Sequence, residues 1–403
     1  MSDIIMHLDM NSYFASVEQQ ANPFLRHRSV AVCAYLSPGG CIIASSLEAK
    51  AKGIKTGCRI SDALKLDPKL ILIENEPDKY RSVTARIFRI MRDYSELVEP
   101  YSIDEAFIDL TGYVPDFASA NNLAQLIKSR IKSEVGDWLE CSVGIAWTRF
   151  LAKLAGDLAP KRGILIIDNE NTLDQLIKQR PLTEAWGIGE GWNRRLNELG
   201  ITTLDELKSY DGHRLRALFG RSGYYLWANL NGLELEAIRG EASLPKSIGH
   251  SYCLPKHSRD RDYLDKVLYK LAEKTGRRLR ALSQEAGSIS LCLAYKSGGA
   301  ISGTFKTKEA IFTTAEIWRE VASFLSSHRI MLPVSMVALS VSNLKAVSGQ
   351  LDFFGLRSAS RNLSQAMDSI NDRYGDYTVI SGSMWDTTSI ARDRIGFRKS
   401  VTI

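Results

Sequence analysis

The sequence predicts a multidomain α+β protein, and three observations carry that reading. Its 403 residues give room for roughly two to four domains, each with a core of its own. Strand-like and helix-like stretches alternate through about the first 165 residues, then give way to short helices around glycine turns. Over residues 246–342 the order reads β-α-β-β-α-β, a split βαβ module.

Ile4-Ile-Met-His-Leu8 is a short apolar run ending in Asp9, and Asn11-Ser-Tyr-Phe-Ala-Ser-Val-Glu18 looks like a helix start. Val30–Cys33 reads as a strand, followed by a Ser-Pro-Gly-Gly turn at 37–40 and a second apolar run, Cys41–Ala44. Ser46–Lys52 is helical and stops at Gly53. Over 78–96, Tyr80, Val83, Ile87, Ile90, Met91 and Tyr94 share one face with arginines opposite, which predicts an amphipathic helix. Tyr101–Leu110 reads as a mostly buried strand, 119–135 as a helix and Cys141–Ala146 as another strand.

From Leu182 the texture changes. Ala185-Trp-Gly-Ile-Gly189 and Trp192–Leu204 predict two short helices around glycine turns. Such a hairpin can offer backbone N–H groups to a phosphate, or can be a plain connection. Residues 234–245 read as a linker. The module beyond it has strands at 247–254, 288–294, 300–305 and 335–341 and helices at 260–283 and 314–327. Its first helix is basic, with Lys266, Lys270, Lys274, Arg277, Arg278 and Arg280. The tail from Ala346 carries Gln350-Leu-Asp-Phe-Phe354 and a helix at 361–374.

Composition narrows the class of function. No window of roughly 18 apolar residues occurs, so no membrane span is expected. The start, Met-Ser-Asp-Ile-Ile-Met, lacks the basic region of a signal peptide. Six scattered cysteines without C-x-x-C read as reduced thiols of a cytoplasmic protein, and six scattered histidines give a zinc site little support. A net charge of +6 permits a polyanionic partner without requiring one.

Asp104 and Glu105 stand side by side among Ile103, Ala106, Phe107, Ile108 and Leu110. Buried carboxylates are costly without a positive partner, so either a divalent cation or a sheet-edge salt bridge is expected there. Neighbouring strand residues point to opposite faces. The pair can therefore serve one site only where the strand ends or bulges.

Two motifs decide the matter. Asp9-Met-Asn-Ser-Tyr-Phe-Ala-Ser-Val-Glu18 together with Tyr101-Ser-Ile-Asp-Glu-Ala-Phe-Ile-Asp109 resembles the Y-family translesion DNA polymerases, nearest their bacterial DNA polymerase IV and UmuC-like branches. Pro77-Asp-x-Tyr80, Ser142–Ala146, Leu151-Ala-Lys153, Gly187-Ile-Gly189 and Lys246-Ser-Ile-Gly249 follow in the family's order. The resemblance implies a right-hand polymerase with a ferredoxin-like palm (1–10 and 74–167) and small fingers (11–73). It also implies a helical thumb with a helix-hairpin-helix (168–233), the linker, a β-α-β-β-α-β little finger (246–345) and a tail (346–403) with a clamp-binding peptide and a helix.

It further implies template-directed, low-fidelity addition of dNTPs to a primer 3′ end by two-metal phosphoryl transfer, with two Mg²⁺ ions. Asp9 and Asp104 would bridge both ions, Glu105 would complete the primer-side site, and Met10 would add its backbone carbonyl. Asn11 replaces an acid often found there, and Asp109 is expected to be structural. Tyr13, Phe14, Lys50 and Lys161 would contact the nucleotide, with Phe14 as the steric gate. The family's Tyr-Glu-Ala-Arg reads Leu47-Glu-Ala-Lys50, and its Ala-Lys-Pro-x-Gly reads Ala159-Pro-Lys-Arg-Gly163. Lys161 or Arg162 would restore the lost charge; Thr148-Arg149 stands for a usual Asn-Lys. Fewer bidentate contacts imply weaker nucleotide binding than in relatives.

Primer-template DNA would be met by Gly187, Ile188 and Gly189, by the basic 266–280 helix, and by Lys296, Lys306 and Lys308. Gln350, Leu351, Phe353 and Phe354 fit a sliding-clamp peptide. A monomer or a mutasome component acting in the SOS response is implied by family. Two other functions compete: a catalytically weak polymerase-like accessory protein that binds DNA and clamp, and a nucleotidyl cyclase sharing a two-metal palm.

The gate reading is testable. Phe14→Ala should raise ribonucleotide incorporation markedly in single-nucleotide insertion kinetics, and unchanged sugar discrimination would sink the assignment.

Overall fold

Ile5–Met10 (β1) is buried on both faces, as the apolar run around Asp9 demands of a central strand. A computed structural model describes residues 3–37, 40–240, 244–347, 356–387 and 390–391. The chain divides into two compact units between residues 242 and 243, inside the segment read as a linker.

In the first unit β1 leads to α1 (Tyr13–Ala21) and then to β2 (Val30–Cys33), β3 (Ile42–Ser45), α2 (Leu47–Ala51), α3 (Ile60–Leu66) and β4 (Ile71–Glu74). These strands form a small sheet in the order β3-β2-β4. Then come α4 (Pro77–Arg92), β5 (Val98–Pro100), β6 (Glu105–Asp109), α5 (Phe117–Arg130), β7 (Cys141–Ala146), α6 (Arg149–Leu158) and β8 (Ile164–Ile166). The main sheet runs β5-β6-β1-β7-β8. Met6, Leu8 and Met10 face a core shared with Ile87, Phe88 and Met91 of α4 and Ala120, Ala124 and Ile127 of α5. Ile5 and Phe107 face the other way, onto Phe150, Leu151 and Leu154 of α6. Each such Ile, Leu, Met or Phe side chain contributes roughly 1.5–3 kcal/mol on burial. Exposed pairs such as Arg81–Asp78 add roughly 0–1 kcal/mol, so packing rather than surface charge holds the sheet between its helices.

Four helices follow: α7 (Glu170–Ile177), α8 (Glu190–Asn197), α9 (Leu204–Ser209) and α10 (Gly212–Leu230). A capping box at Thr203 starts α9, with Thr203 and Glu206 satisfying each other's backbone N–H.

The second unit comprises β9 (Ser247–Ser258), α11 (Arg261–Ala281), β10 (Gln284–Tyr295), β11 (Ala300–Ile311), α12 (Thr314–Ser326), β12 (Val334–Ala346) and α13 (Leu356–Tyr374). The expected β-α-β-β-α-β order is present, in an antiparallel sheet β11-β10-β12-β9. Ile248, Ile289, Leu291, Val337 and Leu339 line its inner face beneath α11 and α12.

Several elements differ from the sequence reading. The expected 101–110 strand begins only at Glu105, because the chain bends at 102–104 and both Tyr101 and Ser102 donate N–H to the Glu105 carbonyl. The 78–96 helix ends at Arg92. The 119–135 helix passes at Ile131 into a wider turn, closed by Gly136 N–H on the Ile131 carbonyl. Strands β10 to β12 outrun their apolar stretches, since serines, threonines and lysines fill the solvent face. The basic 266–280 helix is a correction. Lys270 is buried, Lys274 donates to the Ala391 carbonyl, Arg277 pairs with Asp372 and Asp376, and Arg280 pairs with Asp368. Acids in and just after α13 thus occupy charges that were expected to meet DNA. The peptide Gln350, Leu351, Phe353 and Phe354 lies outside the described residues.

Candidate active site

Asp9 is the fifth residue of β1 and stands directly opposite Glu105, the first of β6. Directly opposed residues of an antiparallel pair share a face, so these two carboxylates project to the same side. Asp104 precedes the strand, in the bend, and its carbonyl accepts Met10 N–H at 2.9 Å. The strand therefore ends at the acidic pair, which is how adjacent residues come to serve one centre.

The energetics are uneven. Burial, with Asp104 and Glu105 nearby, pushes Asp9 up to about 8. Burial also raises Asp104, against a hydrogen bond from the Ser102 hydroxyl. Burial alone would raise Glu105 too. The His7 hydrogen bond and the Lys153 ammonium outweigh it and hold this carboxyl below its ordinary value. Glu105 Oε2 meets His7 Nε2 at 3.0 Å and Lys153 Nζ at 2.7 Å.

His7 escaped the sequence reading, because one histidine in an apolar run reads as core. It is fully buried, and burial lowers its pKa, so a neutral ring donates from Nε2. Its Nδ1 lies against Gly156, where a Cβ would come within 2.9 Å. Gly144 permits the same closeness: a Cβ there would meet Ala152 O and Gly156 N at 2.1 Å. These two glycines let α6 lie near enough to carry Lys153 to Glu105. Lys153 sits in the Leu151-Ala-Lys153 motif, which was noticed without a role.

A pocket opens beside these acids, lined by Asp9, Met10, Asn11, Tyr13, Phe14, Leu47, Lys50, Asp104 and Lys161, among others. The structure thus gathers Lys50, Lys161 and Phe14 around two of the three carboxylates. Burial and the neighbouring Lys161 lower the Lys50 pKa, while Asp9 and Asp104 act the other way. The Phe14 ring packs 4.5 Å from that of Tyr80, whose hydroxyl donates to buried Glu18 at 2.7 Å. The Tyr13 hydroxyl is used on the Tyr80 carbonyl (2.9 Å) and Thr84 (2.8 Å), so toward a nucleotide Tyr13 offers its main chain. Asp109 is structural: Oδ1 accepts Thr111 N–H, and its carbonyl accepts the Ser95 hydroxyl.

Arg149 is not part of this pocket. Its guanidinium lies over Tyr101, Phe107 and Trp186 and pairs with Glu99 and Glu236. It therefore braces the sheet against the hairpin and the following segment rather than the nucleotide.

The donor set suits a hard cation. Carboxylates are oxygen ligands, and burial, with the acids beside it, keeps Asp9 protonated until positive charge arrives. Among the described residues no three His, Cys, Asp or Glu side chains form a closed ligand cluster. Glu105 Oε2 is engaged by His7 and Lys153.

In the helical part, Gly187 has a φ of +91°, open to glycine, and Gly189 precedes α8. Ile188 is a correction of detail. Its side chain is buried and its N–H is donated to the Ala185 carbonyl, so the first turn of α8 holds the outward N–H groups. Lys306 lies on the solvent face of β11 opposite Ser288, whereas Lys296 sits in the β10–β11 turn.

Comparison with known proteins follows the same outline. Residues 8–157 match the model of the impB/mucB/samB family, and residues 245–353 match its C-terminal domain. Similar proteins include DNA polymerase IV of Pelotomaculum thermopropionicum, 33% identical over 402 residues, with 98% of both chains covered. DNA polymerase IV 1 of Bacillus subtilis is 32% identical, over 95% of this chain and 93% of its own. A solved chimeric Y-family DNA polymerase shares the fold, with a TM-score of 0.76 at 24% identity over 85% of this chain and 100% of that one.

The raised Asp9 pKa has a consequence for stability. The metal-free folded protein retains a proton there between the ordinary carboxylate pKa and about 8, and the unfolded chain does not, so stability falls as pH rises through that window. Thermal melts in chelator should show Asp9→Asn losing less Tm than the natural protein between about pH 5 and about pH 8. Parallel pH profiles would contradict the coupling.

Proposed function

The chain belongs to the impB/mucB/samB family of Y-family DNA polymerases, and from that premise we propose how its residues divide the work of translesion synthesis. The enzyme is a DNA-directed DNA polymerase acting on primer-template DNA and dNTPs with a divalent metal. The observation that carries the reading is the desolvated group Asp9, Asp104 and Glu105 at the joined ends of β1 and β6.

Asp9 and Asp104 hold the reacting centre, with the Met10 carbonyl beside them, and Glu105 joins from the Lys153 side. Two Mg²⁺ ions, when bound there, supply the charge that stabilises both attacking and leaving oxygens. Lys50 and Lys161 receive the triphosphate as point charges, less specifically than a guanidinium fork would. Phe14, backed by Tyr80, occupies the space a 2′-hydroxyl needs. The neutral His7 donates to Glu105 and fixes its direction.

DNA is held by backbone contacts, at the first turn of α8 beyond Gly187–Gly189 and separately on the open sheet face of the second unit. That face carries Ser251, Ser290, Ser302, Thr304 and Ser340 with Lys306 at its side. Small hydroxyl side chains admit a phosphate backbone close to the sheet, and Lys306 supplies charge. Lys296 adds to it from the turn. Binding of this kind is independent of sequence and weakens steeply with salt. Gln350, Leu351, Phe353 and Phe354 serve a sliding clamp, and the protein works in the cytoplasm.

The accessory-protein alternative is not favoured, because a site without chemistry has no reason to keep three mutually repelling acids. A cyclase would have no use for a matched C-terminal family domain. Primer extension with Mg²⁺ tests the proposal: Asp104→Ala should lower the rate by several orders of magnitude, as removing a metal-bridging ligand does. In the same assay, Leu351→Ala with Phe354→Ala should remove stimulation by a loaded clamp while leaving unstimulated extension intact. Extension that survives Asp104→Ala contradicts the catalytic assignment, and stimulation that survives the double substitution contradicts the clamp assignment.

A further inference from the structure

Lys161 is exposed in the pocket, and among the described residues no hydrogen bond or ion pair of its own side chain fixes it there. What fixes it is the turn it rides on. Gly163 N–H closes that turn on the Pro160 carbonyl at 2.8 Å, and Arg162 takes a φ of +66°, a left-handed conformation that a non-glycine residue rarely adopts unaided. The turn therefore needs to be held from outside.

Asn11 does so. It follows β1, is nearly buried, and is itself fixed at both ends: its N–H donates to the Glu140 carbonyl at 2.8 Å, and its carbonyl accepts the Ser16 hydroxyl at 2.7 Å. Its side-chain Oδ1 accepts Arg162 N–H at 3.0 Å, and its Nδ2 donates to Ser142 Oγ at 3.0 Å. The Ser142 hydroxyl in turn points at the Pro160 carbonyl, at 3.5 Å. The amide orientation follows from the chemistry, since only oxygen can accept from a backbone N–H. Asn11 and Ser142 thus bracket Lys161, one touching the residue after it and the other the residue before. From the far side Lys128 Nζ donates to the Arg162 carbonyl at 2.6 Å.

We infer that Asn11 is a positioning residue for nucleotide binding: its amide ties the end of the metal-binding strand to the 160–163 turn and so holds Lys161 over the triphosphate. This rests on the assignment of Lys161 to the triphosphate made above. It gives a physical role to the residue standing where relatives often carry an acid. A carboxylate can accept from Arg162 N–H, but it would also take the single Ser142 O–H and so turn that hydroxyl away from the Pro160 carbonyl; an acid keeps one side of the bracket only.

The test is a double-mutant cycle in steady-state dNTP insertion on primer-template DNA. Asn11→Ala should raise the dNTP KM by about tenfold, the scale of one positioned hydrogen bond, with kcat moving much less. Lys161→Ala should raise KM by at least as much. Adding Asn11→Ala to Lys161→Ala should raise it no further, because the positioned group is already gone. Asn11→Asp should stay nearer the natural protein than Asn11→Ala. Lys128→Met loosens the turn from a surface helix and should move KM the same way, again only while Lys161 is present, which covers poor folding of Asn11→Ala. Equal effects of Asn11→Ala with and without Lys161 would overturn the inference, as would a KM unmoved by Lys161→Ala. Insertion by the natural protein at saturating dNTP reports separately on the polymerase reading itself.

Discussion

The burial of three carboxylates beside one strand end is the constraint on which the rest of the first unit depends. Asp9, Asp104 and Glu105 come together because β1 and β6 pair in a register that sets Asp9 opposite Glu105, and because the chain bends just before that strand. Left to themselves they would take up protons, as Asp9 does in reaching about 8. A site of this kind is built to wait for positive charge. Its cost is borne by the apolar packing of α4, α5 and α6 on the two faces of the sheet.

Local charge is then apportioned with some economy. Lys153 and His7 secure Glu105 on the α6 side, and Lys50 and Lys161 line the pocket on the other. Against the pattern that the resemblance implies, α2 carries Lys50 where an arginine is expected, and Pro160-Lys161 stand in the reverse of the expected order. The structure shows how the second change is accommodated: the turn runs through a left-handed Arg162 and is grasped at its backbone by Asn11 and Lys128. Replacing a fork by point charges makes placement of those charges more important, since an ammonium has no geometry of its own to enforce alignment.

Much of the fold was legible in the residues. The apolar runs around Asp9 and Cys141–Ala146, the amphipathic α4 and the β-α-β-β-α-β order all appear where periodicity put them. The carboxylates came from two motifs whose types and spacing are specific, whereas Lys50 and Lys161 came from segments that depart from the family pattern. What escaped depends on tertiary pairing. A single histidine in an apolar strand cannot be told from core without knowing that its Nε2 reaches the Glu105 carboxylate on the neighbouring strand. Arg149, to which the motif alone gave no role, is enclosed by Tyr101, Phe107 and Trp186. The charges of α11 looked like a surface for DNA until Arg277 and Arg280 proved to pair with acids some ninety residues later, Asp368, Asp372 and Asp376. Long strands with serine-rich outer faces show only their apolar halves to a periodicity argument.

The central claim is that these acids are arranged for cations. Counting bound Mn²⁺ by electron paramagnetic resonance, in a complex with a non-extendable primer-template and matching dNTP, tests it most directly. The account predicts about two ions per polymerase in the natural protein and a loss of tight binding in Asp104→Ala. Binding that is absent, or that is indifferent to Asp104, would contradict it.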